Sequence, residues 1–318
     1  MTKVLEYVTN KLLKCWCLLS KCKSVLFISI ATIAIFTLLG LSNKDPLMVI
    51  EAQSRSLDFV VANNEEARIA FPSHVALKTS PRTKAQCLQG LFEPSTGAKV
   101  SYSLIGNTLL IRTSTGRFIL ADKNVPPIEL SERSSISYGA LAADTNGACN
   151  KETKAVQLPI WGATNVGQTS TPQTLANQNN PFTGTLIGGT VLVFGRNMFD
   201  TDNGIYPAGE FALPAGARLS SQASANDHVA PWWGYAKYLP SALDNEISSL
   251  EISATTIASS LIMQRRGSGP SSEKIEARVF AQVTGDPICA FVITLLASIF
   301  FILEFTVATR ELSKDDDE

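Results

Sequence analysis

The sequence predicts a mainly β ectodomain, β-sandwich or jelly-roll-like, held between two single transmembrane α-helices. Three observations lead there. Two uncharged apolar runs stand near the ends of the 318 residues. The stretch between them is built of short apolar or alternating segments broken by Gly, Pro, Asn and Ser, the pattern of strands and turns. Charged residues make up only 17% of the chain, against about 25% in an ordinary soluble domain. With Lys+Arg 27 against Asp+Glu 28 the net charge is −1, so no basic field exists for gripping nucleic acid. Two His and 6 Cys leave little material for a metal site, and no cofactor is expected.

Residues 1–24 set Leu5, Val8, Leu12, Trp16 and Leu19 at intervals of three and four, with lysines on the other side. This is an amphipathic helix suited to the cytoplasmic headgroup layer. Cys15, Cys17 and Cys22 lie here without a nearby His, a poor metal set and, in a eukaryote, candidates for acylation. Residues 25–42, VLFISIATIAIFTLLGLS, carry no charge over about eighteen positions, enough to cross a bilayer. The run is longer than a signal-peptide core and no small-residue cleavage site follows, so an uncleaved anchor is expected. Lys3, Lys11, Lys14, Lys21 and Lys23 precede it and only Lys44 follows closely, which keeps the N-terminus in the cytoplasm. Residues 287–309 form the second expected span, returning the acidic tail, residues 310–318, to the same side. Glu304 is the one ionisable residue inside it, near the cytoplasmic end where snorkelling costs little.

Residues 43–286 then form an extracytoplasmic domain large enough for a real core. Cys87 and Cys149 are its only cysteines, an even pair in an exported segment and therefore a candidate disulfide. No N-x-S/T sequon occurs in it, which fits a periplasm and a bacterial inner membrane. Strands are expected at Leu47–Ile50, Leu57–Val61, Ala98–Leu104, Thr108–Arg112 and Arg117–Leu120, the last three as a meander. Leu186–Phe194 is expected to be a central strand. Gly209–Leu213, Ala217–Ser220, Leu250–Ile252, Ser259–Met263 and residues 273–284 complete the set. Ala163–Thr185, rich in Asn, Gln and Thr, reads as a long loop, with a division into two β units there as an alternative. Ser220–His228 reads as a shorter polar loop.

Chemistry-bearing residues are few. Trp161, Trp232, Trp233, Tyr235 and Tyr238 cluster in two segments and offer aromatic faces for a glycan or other ligand; burial between sheets explains them equally well. His228 follows Asp227, but adjacent strand residues point apart and no G-x-S-x-G elbow presents a serine. His74 has still less support. Asp200, Asp202 and Asn203 resemble the start of a calcium loop, yet Gly204 and Phe211 occupy ligand positions, so a hairpin turn explains them. Arg265–Arg266 fits a solvated turn.

The sequence therefore points to a non-enzymatic, two-span envelope protein of the bacterial inner membrane. Its periplasmic domain would act by binding, as a subunit of a membrane complex, a homo-oligomer, or a module recognising an envelope glycan. A periplasmic hydrolase using His228 is the alternative. Chain-length regulators of polysaccharide export share the two spans and inside termini, but their ectodomains carry long helices that are not expected here.

Overall fold

Every second residue of the ectodomain segments is apolar, and a strand puts such residues on one face. A computed structural model describes residues 45–122, 124–139, 149, 154–167, 185–196, 204–221, 229–238, 248–265, 272–277, 285, 290–299, 301, 302 and 305. They are mainly β. In chain order the strands are β1 (Leu47–Ser54), β2 (Ser56–Val61), β3 (Ile69–Ala70), β4 (Val75–Lys78), β5 (Gln86–Leu88) and β6 (Gly90–Pro94). Then come β7 (Lys99–Ile105), β8 (Thr108–Thr113), β9 (Thr115–Leu120), β10 (Ile128–Ser131), β11 (Ser135–Gly139) and β12 (Val156–Val166). The last are β13 (Leu186–Arg196), β14 (Ile205–Leu213), β15 (Arg218–Ser221), β16 (Trp232–Tyr238), β17 (Leu250–Ile257), β18 (Leu261–Gln264) and β19 (Glu273–Ile275).

Fifteen strands join one large antiparallel open sheet, ordered β14-β13-β1-β17-β16-β12-β2-β7-β8-β11-β4-β5, with β15, β18 and β19 branching from β12. The other four form a small sheet, β10-β9-β6-β3. The branch has a local cause. Gly162 pairs with Val61 of β2 on one edge and with Trp232 of β16 on the other. Three residues on, Asn165 and Val166 pair with β2 and β15, so β16 and β15 follow one another along a single edge. At Gly162 φ is +150° and a Cβ would run into the Val60 carbonyl, so only glycine permits this approach.

The core lies beneath this sheet. Met48, Ile50, Val191, Val193, Ile252, Leu158 and Ile160 are buried on its inner face. From there an aromatic chain runs to the small sheet: Tyr238 meets Tyr138 edge-on at 6.0 Å, Tyr138 lies 5.8 Å from Phe71, and Phe71 stacks at 6.3 Å on Phe118 of β9. Hydroxyls are satisfied along the way, with Tyr238 donating to the Asn107 carbonyl at 2.6 Å and Tyr138 to that of Lys154 at 2.8 Å. Burying the rings contributes on the order of 1.5–3 kcal/mol each.

Several expectations change. Residues 163–166 belong to β12, not to a loop, because Ala163–Val166 alternate buried and half-buried positions against β2. Ser220 and Ser221 likewise lie in β15, paired to β12 and β18. β7 and β8 pair as a hairpin about Gly106–Asn107, but β9 leaves for the small sheet after Ser114, so the three do not form one meander. Leu186–Phe194 is next to the edge rather than central, since only β14 lies beyond it. Its apolar run is half-exposed on one face. The strand expected over 273–284 is confined, among the described residues, to β19.

The described residues divide between two units: Asp45–Gly195 with Pro207–Arg278, and a second taking in the described part of Arg196–Tyr206 and Val279–Glu318. In the latter, residues 290–299 are helical. Among the described residues no helix is long and apolar enough to cross a membrane. The first expected span, the N-terminal amphipathic segment, Glu304 and the acidic tail lie outside them.

Candidate functional site

Alternation along β16 separates the aromatic candidates. Trp232 and Tyr238 point to the core and are fully buried, whereas Trp233 is half-buried and Tyr235 is 41% exposed. Trp161, half-buried on β12, is the direct cross-strand partner of Trp233. The structure thus brings Trp161, Trp233 and Tyr235 together on the outer face and puts Trp232 and Tyr238 beneath it. Burial, with the neighbouring Tyr138, pushes the Tyr238 phenol up to about 12. The indole N–H of Trp232 has no acceptor among the described residues, an unusual state for a buried donor.

The register of five adjacent strands extends the outer face into rows. One row runs Trp161–Trp233–Thr255–Val49–Leu192 across β12, β16, β17, β1 and β13. Two residues further along the strands in one direction stand Ile257, Leu47 and Phe194. In the other direction comes Pro159–Tyr235–Ser253–Glu51–Thr190, and beyond it Gln157–Lys237–Glu251–Gln53–Gly188. Rows repeat about every 6.6 Å. The face therefore carries an apolar and tryptophan centre, passing on one side to tyrosine with hydroxyls and a carboxylate and then to charge, while Asp45 and Arg196 follow the Leu47–Phe194 row on the other. The strand Trp232–Tyr238 is not among the expected strands, and the partners Val49, Glu51, Leu192 and Glu251 are not among the expected site residues. The signal lay in strand parity, masked at Trp232–Tyr238 by the flanking Pro231 and the internal Gly234.

Elsewhere, Cys87 and Cys149 form a disulfide, with Cα atoms 5.4 Å apart across a sequence separation of 62. By the chain-entropy estimate such a loop contributes roughly 4 kcal/mol. Glu93 of β6, with 3% of its side chain exposed, accepts from Arg68 and Arg117 at 3.1–3.2 Å and from Asn64 at 3.1 Å. Burial alone would raise its pKa, but the two guanidiniums hold the carboxyl below its ordinary value. This network is complete and ties the small sheet together. Arg265, the residue after β18, pairs with Glu273 of β19 at 2.7 Å, which occupies part of the expected basic turn. Among the described residues no group of three or more His, Cys, Asp or Glu is placed to hold a metal. His228, Asp200, Asp202, Asn203 and Arg266 lie outside the described residues. His74 stands just before β4. No protein-family model and no curated protein matches this sequence.

Proposed function

We propose that the chain is a two-span, membrane-anchored envelope protein, with both termini cytoplasmic, whose periplasmic β domain acts by binding rather than by catalysis. The observation that carries the reading is the outer face of β13, β1, β17, β16 and β12. It is broad and aromatic, with apolar rows between charged ones, and a half-exposed apolar centre inside a polar rim suits contact with a partner. Tyr235, with Glu51, Lys237 and Glu251 around it, offers a ring face and hydrogen-bonding groups of both signs for a membrane-complex partner or an envelope glycan.

Anchoring finds support in the helical residues 290–299. Phe291, Leu295 and Ile299 are 38–66% exposed there. Thr294 and Ser298 donate to the carbonyls of Ala290 and Thr294, each at 2.8 Å. Exposed large apolar side chains with inwardly satisfied hydroxyls suit hydrocarbon better than water. The disulfide fits an oxidising compartment. A sandwich-like arrangement of the domain is part of the same proposal, with the small sheet facing the inner side of the large one.

The test is gentle detergent extraction of the full chain from its native membrane, with mass spectrometry of stoichiometric companions and a parallel assay on envelope polysaccharide. The expected result is a companion, a homo-oligomer or a retained glycan that is lost in the Tyr235→Ser/Lys237→Glu variant. A folded monomer that holds neither, or a companion indifferent to the variant, overturns the reading.

A further inference from the structure

We propose that the outer face of β13, β1, β17, β16 and β12 packs against the same face of a second copy of this chain, sheet on sheet, about a two-fold axis along β17. The inference rests on the binding reading above and names the partner.

Three observations favour a second copy. The first is the layout of the face. At the level of Leu47 and Ile257 stand Ala163 of β12 and Val60 of β2, before the row meets Lys99 of β7. Val60 is 44% and Ile257 38% exposed. Asp45 and Arg196 close the apolar band on one side. Glu51 and Tyr235, then Lys237 and Glu251, close it on the other. An apolar centre inside a polar rim is the anatomy of a protein–protein interface. Five strands and four rows cover about 24 by 26 Å, roughly 620 Å² in projection. Side-chain relief and the margin on β2 bring this near the ~800 Å² that each partner contributes to a standard-sized interface.

The second is charge. The rim sets Asp45, Glu51 and Glu251 against Arg196, Lys99 and Lys237, so the two signs balance. A rim of one sign repels its own copy and calls for an opposite partner; a balanced rim accepts its own copy.

The third is self-complementarity. Packed sheets lie about 10 Å apart with strands within about 30° of each other. Because β1 and β13 flank β17 on one side as β16 and β12 do on the other, an axis along β17 lays β1 over β16 of the second copy and β13 over β12. Val49 then faces Trp233 and Leu192 faces Trp161, aliphatic on aromatic, while Phe194 falls over the small Ala163. One row on, the Glu51 carboxylate meets the Tyr235 hydroxyl, and in the row after that Lys237 falls beside Glu251. Each pair occurs twice, as an isologous interface requires. Thr255 and Ser253, on the axis, meet their own counterparts. The angle between the sheets displaces the marginal pairs by about one strand and leaves the central ones in place.

The experiment extracts the full chain in mild detergent and reads its detergent-corrected mass by light scattering. The expected result is a dimer, weakened about tenfold or more by Lys237→Glu or by Glu251→Lys alone, because like charges then meet across the interface. Mixing the two variants in equal amounts should recover it. Mixing cannot mend a charge clash within one chain, so recovery places the pair across two copies. A monomeric native chain overturns the proposal, and so does a dimer that ignores both substitutions or stays weakened on mixing. Should either variant lose its protease-resistant fold, Ser253→Cys in a Cys15→Ser/Cys17→Ser/Cys22→Ser/Cys289→Ser background reads the same contact. A short bismaleimide should join two copies through β17, and no cross-link there overturns the proposal. The binding reading fails separately. A monomer that co-extracts another protein or a glycan, lost in Tyr235→Ser/Lys237→Glu, keeps that reading and removes only the second copy; a monomer that holds neither removes both.

Discussion

Trp232 and Trp233 are neighbours in the chain and occupy different worlds. Trp232 is fully buried on the inner face of β16, whereas Trp233 stands half-buried on the other face beside Trp161. The same division holds for Tyr238 and Tyr235. Residue type alone does not distinguish them; strand parity does, because successive side chains point to opposite faces of a sheet. The inner face packs the core, and the outer face stays half-exposed.

Substituting the two tryptophans tests the division most sharply. Trp232→Ala should cost about 3–5 kcal/mol, the range for emptying an aromatic site in a core, while Trp233→Ala should stay within about 1 kcal/mol. Chemical denaturation of the full chain in detergent, followed by near-UV circular dichroism, measures both. Equal costs would mean that the parity assigned to β16 is wrong. Trp232→Phe refines the point: it shrinks the ring but also removes a buried N–H that has no acceptor among the described residues. It should therefore cost much less than Trp232→Ala.

Tyr238 gives the next effect. Tyr238→Phe removes the hydrogen bond to the Asn107 carbonyl, for about 1–2 kcal/mol. It should also change the alkaline limb of stability. Burial raises the Tyr238 pKa from 10.0 to about 12, so the neutral phenol is favoured in the fold. Its contribution is intact below pH 10 and is lost as pH rises toward about 12. A stability profile over that window should be flatter in the variant, and identical slopes would show that another group sets the alkaline limit.

How much of this was legible in the sequence differs by region. Leu47–Ile50, Leu57–Val61 and Thr108–Arg112 announce themselves by β-branched and aliphatic residues, and the disulfide by Cys87 and Cys149 being the one pair between the two apolar runs. β12 and β16 did not. Pro159 sits inside one and Gly234 inside the other, residues that ordinarily argue against a strand interior. Tertiary pairing overrides that preference: β12 is held on both edges at Gly162, and the Pro159 carbonyl accepts from Tyr102 at 2.9 Å. The aromatic cluster was visible as composition, but its split into core and surface needed the register, which no single segment carries. The departure of β9 to the small sheet was hidden for the same reason, since its partners β6 and β10 are chosen by long-range packing.

Glu93 is one of two buried carboxylates among the described residues, with Asp58. Its carboxyl is held below its ordinary value by Arg68 and Arg117, so its contribution is present above the unfolded value and is lost as pH falls below about 4.5. Both arginine side chains are 40–48% exposed, and solvent screening keeps the loss to about 1 kcal/mol or less. Glu93→Gln should remove the acid-limb dependence of the small sheet; a profile identical to the parent's would assign acid sensitivity elsewhere.

The smallest expected effect on stability belongs to Tyr235, and its smallness is what makes it useful. The ring is 41% exposed and lies between Pro159 and Ser253 in its row. No hydrogen bond within the described residues depends on it in the way that the Asn107 carbonyl depends on Tyr238. Tyr235→Ser should therefore change unfolding free energy by no more than about 0.5 kcal/mol, ten times less than the largest inner-face effect. If the outer face exists to bind, the same substitution should lower retention of the companion or glycan in the extraction assay while the disulfide and the denaturation midpoint stay as they were. A large loss of stability would instead make Tyr235 a structural residue, and the two faces of β16 would no longer differ in kind.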